Sequence, residues 1–330
     1  KGVMHDLIAD GNSIVLVDHD TQILSEADWI VEMGPEAGLK GGHVIAQGSI
    51  PQIMADPGSM IGPFLAGRTD GFRREQAPAS DMFSHGRIHL STGSIHTVKP
   101  LEADIPKGRL TAVTGVSGSG KTTLILESLI PALEAQIKGR KLPEHVRSLE
   151  ADGIGQVKLI DATPIGINIR STVATYANVH DELRKTFART PGAKEAGYKA
   201  GDFSYNTGKL RCPVCDGTGV ISLDVQFLPD VEVTCPGCRG SRYSKEAAQI
   251  RYANKEGKSF SLPELMAMDV NTALDVCCHL KNVSQRLQIL KDLGLGYLTL
   301  GEETPGLSGG EAQRLKLASE MGRPQRDSVF

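Results

Sequence analysis

Two stretches of this sequence place residue types at spacings that serve chemistry rather than packing alone. The first is Gly115-Val116-Ser117-Gly118-Ser119-Gly120-Lys121-Thr122, a complete GxxxxGK[ST] pattern. It lies between a β-rich run at Arg109 to Thr114 and a helical spacing of Leu124, Leu129 and Leu133, which predicts strand, loop and helix. Glycines let successive backbone N–H groups close around phosphate oxygens, and the following helix turns its positive end to the same anion. Lys121 is then expected to neutralise β- and γ-phosphate charge, Thr122 to place its hydroxyl on Mg²⁺, and Thr123 to stand near the phosphates as a further donor. The expected ligand is ATP with Mg²⁺. A glycine turn with a chance lysine would explain neither the full spacing nor its setting.

The second stretch holds Cys212-x-x-Cys215 and Cys235-x-x-Cys238, with 19 residues between the pairs. That spacing fits a four-thiolate Zn²⁺ site, which has no open position and therefore cross-links the chain without doing chemistry. A redox-active pair and four reduced, unliganded thiols are the alternatives. The metal is expected to staple an insertion with little core of its own. Cys277 and Cys278, adjacent in a helical pattern, read as small buried hydrophobes. The first pair continues as CxxCxGxG, locally similar to the repeat of DnaJ-type chaperones, whereas the second, Cys235 to Arg242, lacks the last glycine. Beyond it Arg239, Arg242, Lys245, Arg251, Lys255 and Lys258 outnumber Glu246 and Glu256, and Tyr243 offers a stacking face. Arg239, Arg242, Tyr243 and Lys245 are therefore candidates for DNA contact, and a merely solvated basic surface is the alternative.

Leu307-Ser308-Gly309-Gly310-Glu311-Ala312-Gln313, followed by Arg314, resembles the signature motif of ATP-binding-cassette ATPases, in which a serine and helix N-terminal N–H groups meet a γ-phosphate. Ser308 with Glu311 also makes a capping box, which leaves the glycine pair unexplained. Ile14-Val15-Leu16-Val17-Asp18-His19-Asp20 resembles the switch-histidine segment of such cassettes, with His19 sensing the γ-phosphate. A Walker B strand ending in Asp18, or a half-buried structural histidine, are the other readings.

These motifs need elements to hold them. Ile14 to Val17, Trp29 to Met33 and His43 to Gln47 are each short enough for strands. Arg68 to about His85 turns polar and reads as a linker. Lys158 to Asp161 suggests a further strand, Asn271 to Leu293 is helical, and a last helix follows Gly309 and Gly310. The expected fold class is α/β: residues 1–67 are the C-terminal part of one cassette, 68–85 a linker, and 86–169 the start of a second with its Walker A loop. Residues 170–260 are a zinc-binding insertion, and 261–330 carry the signature.

At 330 residues, with 40% apolar and 23% charged content, the chain is long enough for two cores and is not compositionally disordered. Its net charge of −3 excludes a wholly basic nucleic-acid binder but not a local one. No apolar run reaches membrane-span length and no secretory leader is evident, so a cytoplasmic location without membrane association is expected. Lys1 and Phe330 both look like cut ends. A cassette runs P-loop, Q-loop, signature, Walker B, histidine; here the histidine comes first and no Walker B follows the signature. The expectation is nucleotide binding with little hydrolysis from these residues alone.

A cassette whose P-loop and signature are separated by a zinc insertion resembles the UvrA family, the damage-recognition ATPases of bacterial nucleotide excision repair. Gly197-Tyr198-Lys199, Phe203-Ser204-Tyr205-Asn206, Phe227 to Val231, Arg242-Tyr243 and Leu293 to Tyr297 extend that resemblance over nearly the whole chain. It implies two cassettes with composite ATP sites, a homodimer, binding of damaged double-stranded DNA, and UvrB as partner through a region upstream of Lys1. The chain departs from the family's pattern at Asp161-Ala162-Thr163-Pro164-Ile165-Gly166, where Ala162 replaces the Q-loop glutamine, at Gly166 to Arg170, and at Asp18, where Glu is common. Those departures point toward a UvrA-like paralogue, including those associated with drug self-protection.

Overall fold

The computed structural model describes residues 2–36, 38, 41–69, 74–161, 163–166, 168–223, 231–321 and 325–330. The chain divides into two compact units, Lys1–Gln76 and Ala77–Phe330.

In the first unit, strands Ile30–Gly34 and His43–Gly48 pair antiparallel, with helices Thr21–Leu24 and Ile50–Ala55 on either side in sequence. Asp20 caps the former helix by accepting the Gln22 N–H, and Ser49 with Gln52 forms a capping box on the latter. Ile30, Ala46 and Ile53 are its buried centre, with Leu24, Ile50, Ile61 and Leu65 packed around them. The Glu32 carboxylate accepts the Ser59 hydroxyl at 2.6 Å and the Met60 and Ile61 N–H groups at 2.9 Å, which closes the turn before helix Gly62–Leu65. The strand expected at Ile14 to Val17 does not form. Val15 and Val17 are 94% and 96% exposed, and no described segment pairs with them. Apolar content marks a chain that wants a neighbour, and pairing requires that neighbour to be present.

Among the described residues, the second unit has two apolar cores beside a small cluster of cysteines. The smaller sits beneath an antiparallel sheet in which Arg87–Thr92 lies between Leu101–Pro106 and Val146–Glu150. Ile88, Leu90 and Val146 pack there against Leu129, Ala132 and Leu133 of the segment that follows the glycine loop. That segment is not a plain α-helix. Residues Thr123–Leu129 form π-type turns and only Ile130–Ile137 is α-helical. Pro131 has no N–H for the Glu127 carbonyl, and a widened turn carries the chain past it. Arg109 to Thr114, expected as a strand, is outside every sheet, with Leu110 82% exposed. Of the run from Lys158 to Asp161, only the Lys158 N–H joins a strand, bonding Val329 O at 2.7 Å beside the parallel pair Gln156–Val157 and Ser328–Val329.

The larger core draws on residues 165–210 and 243–318, on either side of the cysteine segment. Phe187, Phe203, Tyr205, Leu210, Tyr243 and Tyr252 pack in it together with Leu262, Leu287, Leu290 and Leu315. The expected insertion at 170–260 therefore has a substantial core, shared with 261–330. The aromatic residues spread through this polar stretch have no sequence period, which hides their convergence. The helical region 271–293 is two helices, Val270–Val276 and Lys281–Asp292, broken around His279.

Candidate nucleotide and metal sites

The glycine loop stands exposed between the small sheet and the π-type segment. Gly118 and Gly120 adopt φ of 78° and 88°, which only glycine takes without strain, and a Cβ on Gly120 would run into Val98. Lys121 folds its ammonium over the loop and donates to Gly115 O and Val116 O, both at 2.8 Å. The result is a cation held against the backbone of the loop Gly115, Val116, Ser117, Gly118, Ser119 and Gly120, with the Thr122 side chain exposed. Thr123, expected near the phosphates, instead donates its hydroxyl to Glu127 at 3.2 Å. Glu127 also meets His96 Nε2 at 2.8 Å, and that bond holds its carboxyl below the usual range. His96 and Glu127 had no signal in sequence, because their meeting depends on the left-handed turn at His96, φ 50°.

The signature segment begins helix Gly309–Met321. The Ser308 hydroxyl accepts the Glu311 N–H at 3.3 Å, and the Ser308 N–H donates to Glu311 Oε2 at 2.7 Å, a complete capping box. Tyr297 donates to the other Glu311 oxygen. Ser308, Gly309 and Gly310 are exposed while Ala312 and Leu315 are buried, so the N-terminus faces solvent and the body of the helix is anchored. Gln313 reaches Ile160 O at 3.4 Å, and Lys316 bonds Asp161 together with Thr163 O and Oγ1, both at 2.8 Å. The Lys316 contact draws the Asp161 carboxyl below its ordinary pKa. Ala162 lies between these two anchors but outside the described residues, as do Phe227 to Asp230.

In the first unit His19 is exposed. The Asp18 carboxylate accepts the His19 and Asp20 N–H groups at 2.7 and 2.9 Å, and these bonds lower its pKa. Asp18 thus shapes the turn that presents His19.

Cys212, Cys215, Cys235 and Cys238 bring their sulfurs within 4.8 Å of one another, with Cys212 and Cys235 at 3.9 Å and Cys215 and Cys238 at 3.6 Å. Tetrahedral thiolates about 2.3 Å from a zinc ion stand about 3.8 Å apart, so the donor set fits that metal. Burial opposes ionisation of Cys215, but the Gly219 N–H donates to its sulfur at 3.2 Å and, with the neighbouring thiols, draws its pKa down to about 7. The two knuckles follow one backbone path: φ is 52°, 81° and 83° at Asp216, Gly217 and Gly219, and 53°, 84° and 71° at Arg239, Gly240 and Arg242. They are also cross-bonded, Cys212 N to Arg242 O and Cys235 N to Gly219 O, each at 2.9 Å.

The DNA-contact expectation needs correction at two of its four residues. Arg239 and Lys245 are exposed, but Arg242 and Tyr243 are 5% and 2% exposed and point inward. Arg242 bonds Glu303 at 2.7 Å and lies over the Tyr205 ring, 5.3 Å from its centroid. The Tyr243 hydroxyl donates to Phe203 O at 3.1 Å and meets His180 Nε2 at 2.7 Å. Linear charge counting missed this because a buried arginine and a surface arginine are the same letter. Arg251 and Lys258 of the same cluster are paired with Glu264 and Glu256.

No family model matches the chain. Its sequence is 40% identical over 316 residues to UvrABC system protein A of Thermus thermophilus, a match covering 95% of this chain and 32% of that one. The corresponding Bacillus subtilis protein is 41% identical over 321 residues, covering 96% and 32%. Over nearly its whole length the chain is similar to UvrABC system protein A. The crystal structure of UvrA2 from Deinococcus radiodurans superposes with a TM-score of 0.84 at 37% identity, over 98% of this chain and 38% of that one. The mixed α/β fold therefore matches part of the UvrA2 structure, and the chain spans about a third of the length of the UvrABC system protein A relatives. Several residues that carry the UvrA resemblance, among them Phe203, Tyr205, Tyr243 and Leu295, are buried in the larger core. Among the described residues no helix is long and apolar enough to cross a membrane.

Proposed function

We propose that this chain supplies one P-loop and one signature turn of a UvrA-type ATPase that recognises damaged double-stranded DNA. The observation that carries the reading is the pairing, in one unit, of a lysine-topped glycine loop with an exposed, serine-capped helix N-terminus, within sequence about 40% identical to UvrABC system protein A. Both are anion sites built from backbone N–H groups. Lys121 and the loop from Gly115 to Gly120 would hold ATP phosphates, and Thr122 the Mg²⁺ that spreads phosphate charge. Ser308, Gly309 and Gly310 would meet the γ-phosphate of ATP on a second cassette, with Glu311 and Gln313 fixing the turn, and His19 would serve as a γ-phosphate sensor. Zn²⁺ on the four cysteines supplies a cross-link and no chemistry. Arg239 and Lys245 are the remaining candidates for DNA phosphate contact. The whole protein would act as a homodimer in the cytoplasm and pass lesions to UvrB.

The test is nucleotide and DNA binding by the full-length protein. Lys121→Ala should remove one nucleotide site per chain; unchanged stoichiometry would eliminate the P-loop reading. Affinity for damaged duplex should exceed that for intact duplex and fall steeply with salt. Absence of DNA binding would leave the ATP sites without this role. Ala162 favours a second reading, a UvrA-like self-protection protein acting on a drug or a drug–DNA complex. Rescue of an ultraviolet-sensitive, UvrA-deficient strain would count against it.

A further inference from the structure

Arg242 stands where the first knuckle has Gly219, yet it keeps the same left-handed backbone, φ 71°. A non-glycine residue in that region is strained, so a compensating interaction must hold it there. Its carbonyl receives the Cys212 N–H at 2.9 Å, which ties it to the cysteine site. Its guanidinium, 5% exposed, bonds Glu303 at 2.7 Å and lies over Tyr205.

Glu303 opens the short turn that delivers the signature. Residues 304–306 form one 3₁₀ turn, Leu307 is buried, and Ser308 follows at the surface. The same turn is fastened to the segment carrying Asp161 and Thr163: Thr304 donates its hydroxyl to Ile165 O at 2.9 Å and its N–H to Ser171 O at 3.0 Å. Glu303 itself bridges to Thr172. One side chain thus joins the metal knuckle to the turn that positions Ser308.

We propose that Arg242 is a positioning residue that couples the four-cysteine site to the signature turn, so that the geometry of the metal site sets the placement of Ser308 on a γ-phosphate. The proposal rests on the reading of Ser308 as a phosphate contact. Because coupling between two sites is reciprocal, nucleotide bound at the signature must in turn hold the metal knuckle closed.

The experiment uses the full-length zinc-loaded protein and the variants Glu303→Gln, Arg242→Ala, Arg242→Lys and Ser308→Ala. Two readouts are taken: steady-state ATP hydrolysis, and the rate of zinc transfer to a chromogenic chelator with and without a non-hydrolysable ATP analogue. In the wild type the analogue should slow zinc transfer by about fivefold. Glu303→Gln and Arg242→Ala should abolish that protection and lower kcat by about tenfold with KM little changed, and Arg242→Lys should restore part of both. Glu303→Gln is isosteric and keeps the test alive if Arg242→Ala fails to fold. Unaltered kcat and unaltered protection in Glu303→Gln, with Ser308→Ala impaired, would overturn the coupling while sparing the signature. A silent Ser308→Ala would overturn both.

Discussion

Gly219 and Arg242 occupy equivalent places in the two metal knuckles, with φ of 83° and 71°, and each accepts the N–H of the other knuckle's first cysteine. The pseudo-symmetry is of backbone, and the side chains break it. A Cβ at Gly219 would lie 3.0 Å from Gly240 O and 3.2 Å from Arg242 Cγ. Gly219→Ala should therefore cost about 2 kcal/mol, adding left-handed strain to crowding. Thermal unfolding of the zinc-loaded protein checks this, and an unshifted midpoint would contradict it.

Metal removal should be local. Cys212, Cys215 and Cys235 form a small cluster of their own, whereas Phe203, Tyr205 and Tyr243 belong to the core that extends to Ala318. Chelation, or Cys235→Ser, should release zinc and expose amides of residues 212–223 and 231–242 to exchange while most helical signal persists. Hydrogen exchange read by mass spectrometry decides it; loss of protection throughout 165–318 would mean that the metal holds the whole core.

At the glycine loop, Gly120 has no room for a side chain because Val98 occupies the space, and its φ of 88° disfavours one. Gly120→Ala should weaken binding of a fluorescent ATP analogue at this site by about tenfold or more. Adding Val98→Ala should recover only part of the loss, since it relieves the clash and not the backbone strain. Full recovery would show that backbone freedom at Gly120 is unimportant.

Burial, reinforced by the Arg184 charge, pushes the His180 pKa from 6.5 down to about 3. The unfolded chain takes up a proton on this residue below about pH 6.5, while the folded chain does so only near 3. Stability should therefore fall as pH falls through that window, with a contribution of up to about 1.4 kcal/mol per pH unit. Urea midpoints between pH 7 and 4.5 measure it, and His180→Gln should flatten the slope; parallel curves would assign the acid sensitivity elsewhere.

The glycine loop and the four cysteines were legible in sequence because their chemistry needs residues close together in the chain. The position of Ser308 at a helix start was legible for the same reason. Ile14 to Val17 and Arg109 to Thr114 were misread as paired strands because apolar runs record a preference, and hydrogen-bonding partners are set by tertiary structure. Arg242 and Tyr243 were misread as surface groups because nothing local announces Glu303, 61 residues away, or His180, 63 residues away. The π-type turns after the loop were announced by Pro131 but not read.

The core shared between residues 165–210 and 243–318 also bears on how this protein can be altered or inherited. A zinc segment cut out at residues 170 and 260 would take Phe187, Phe203, Tyr205 and Tyr252 from their interior partners and leave Leu262, Leu287 and Leu290 bare on the other side. Neither piece would be a soluble graft. The metal-bearing region can change by point substitution around its knuckles, but it cannot be exchanged between proteins as a removable part.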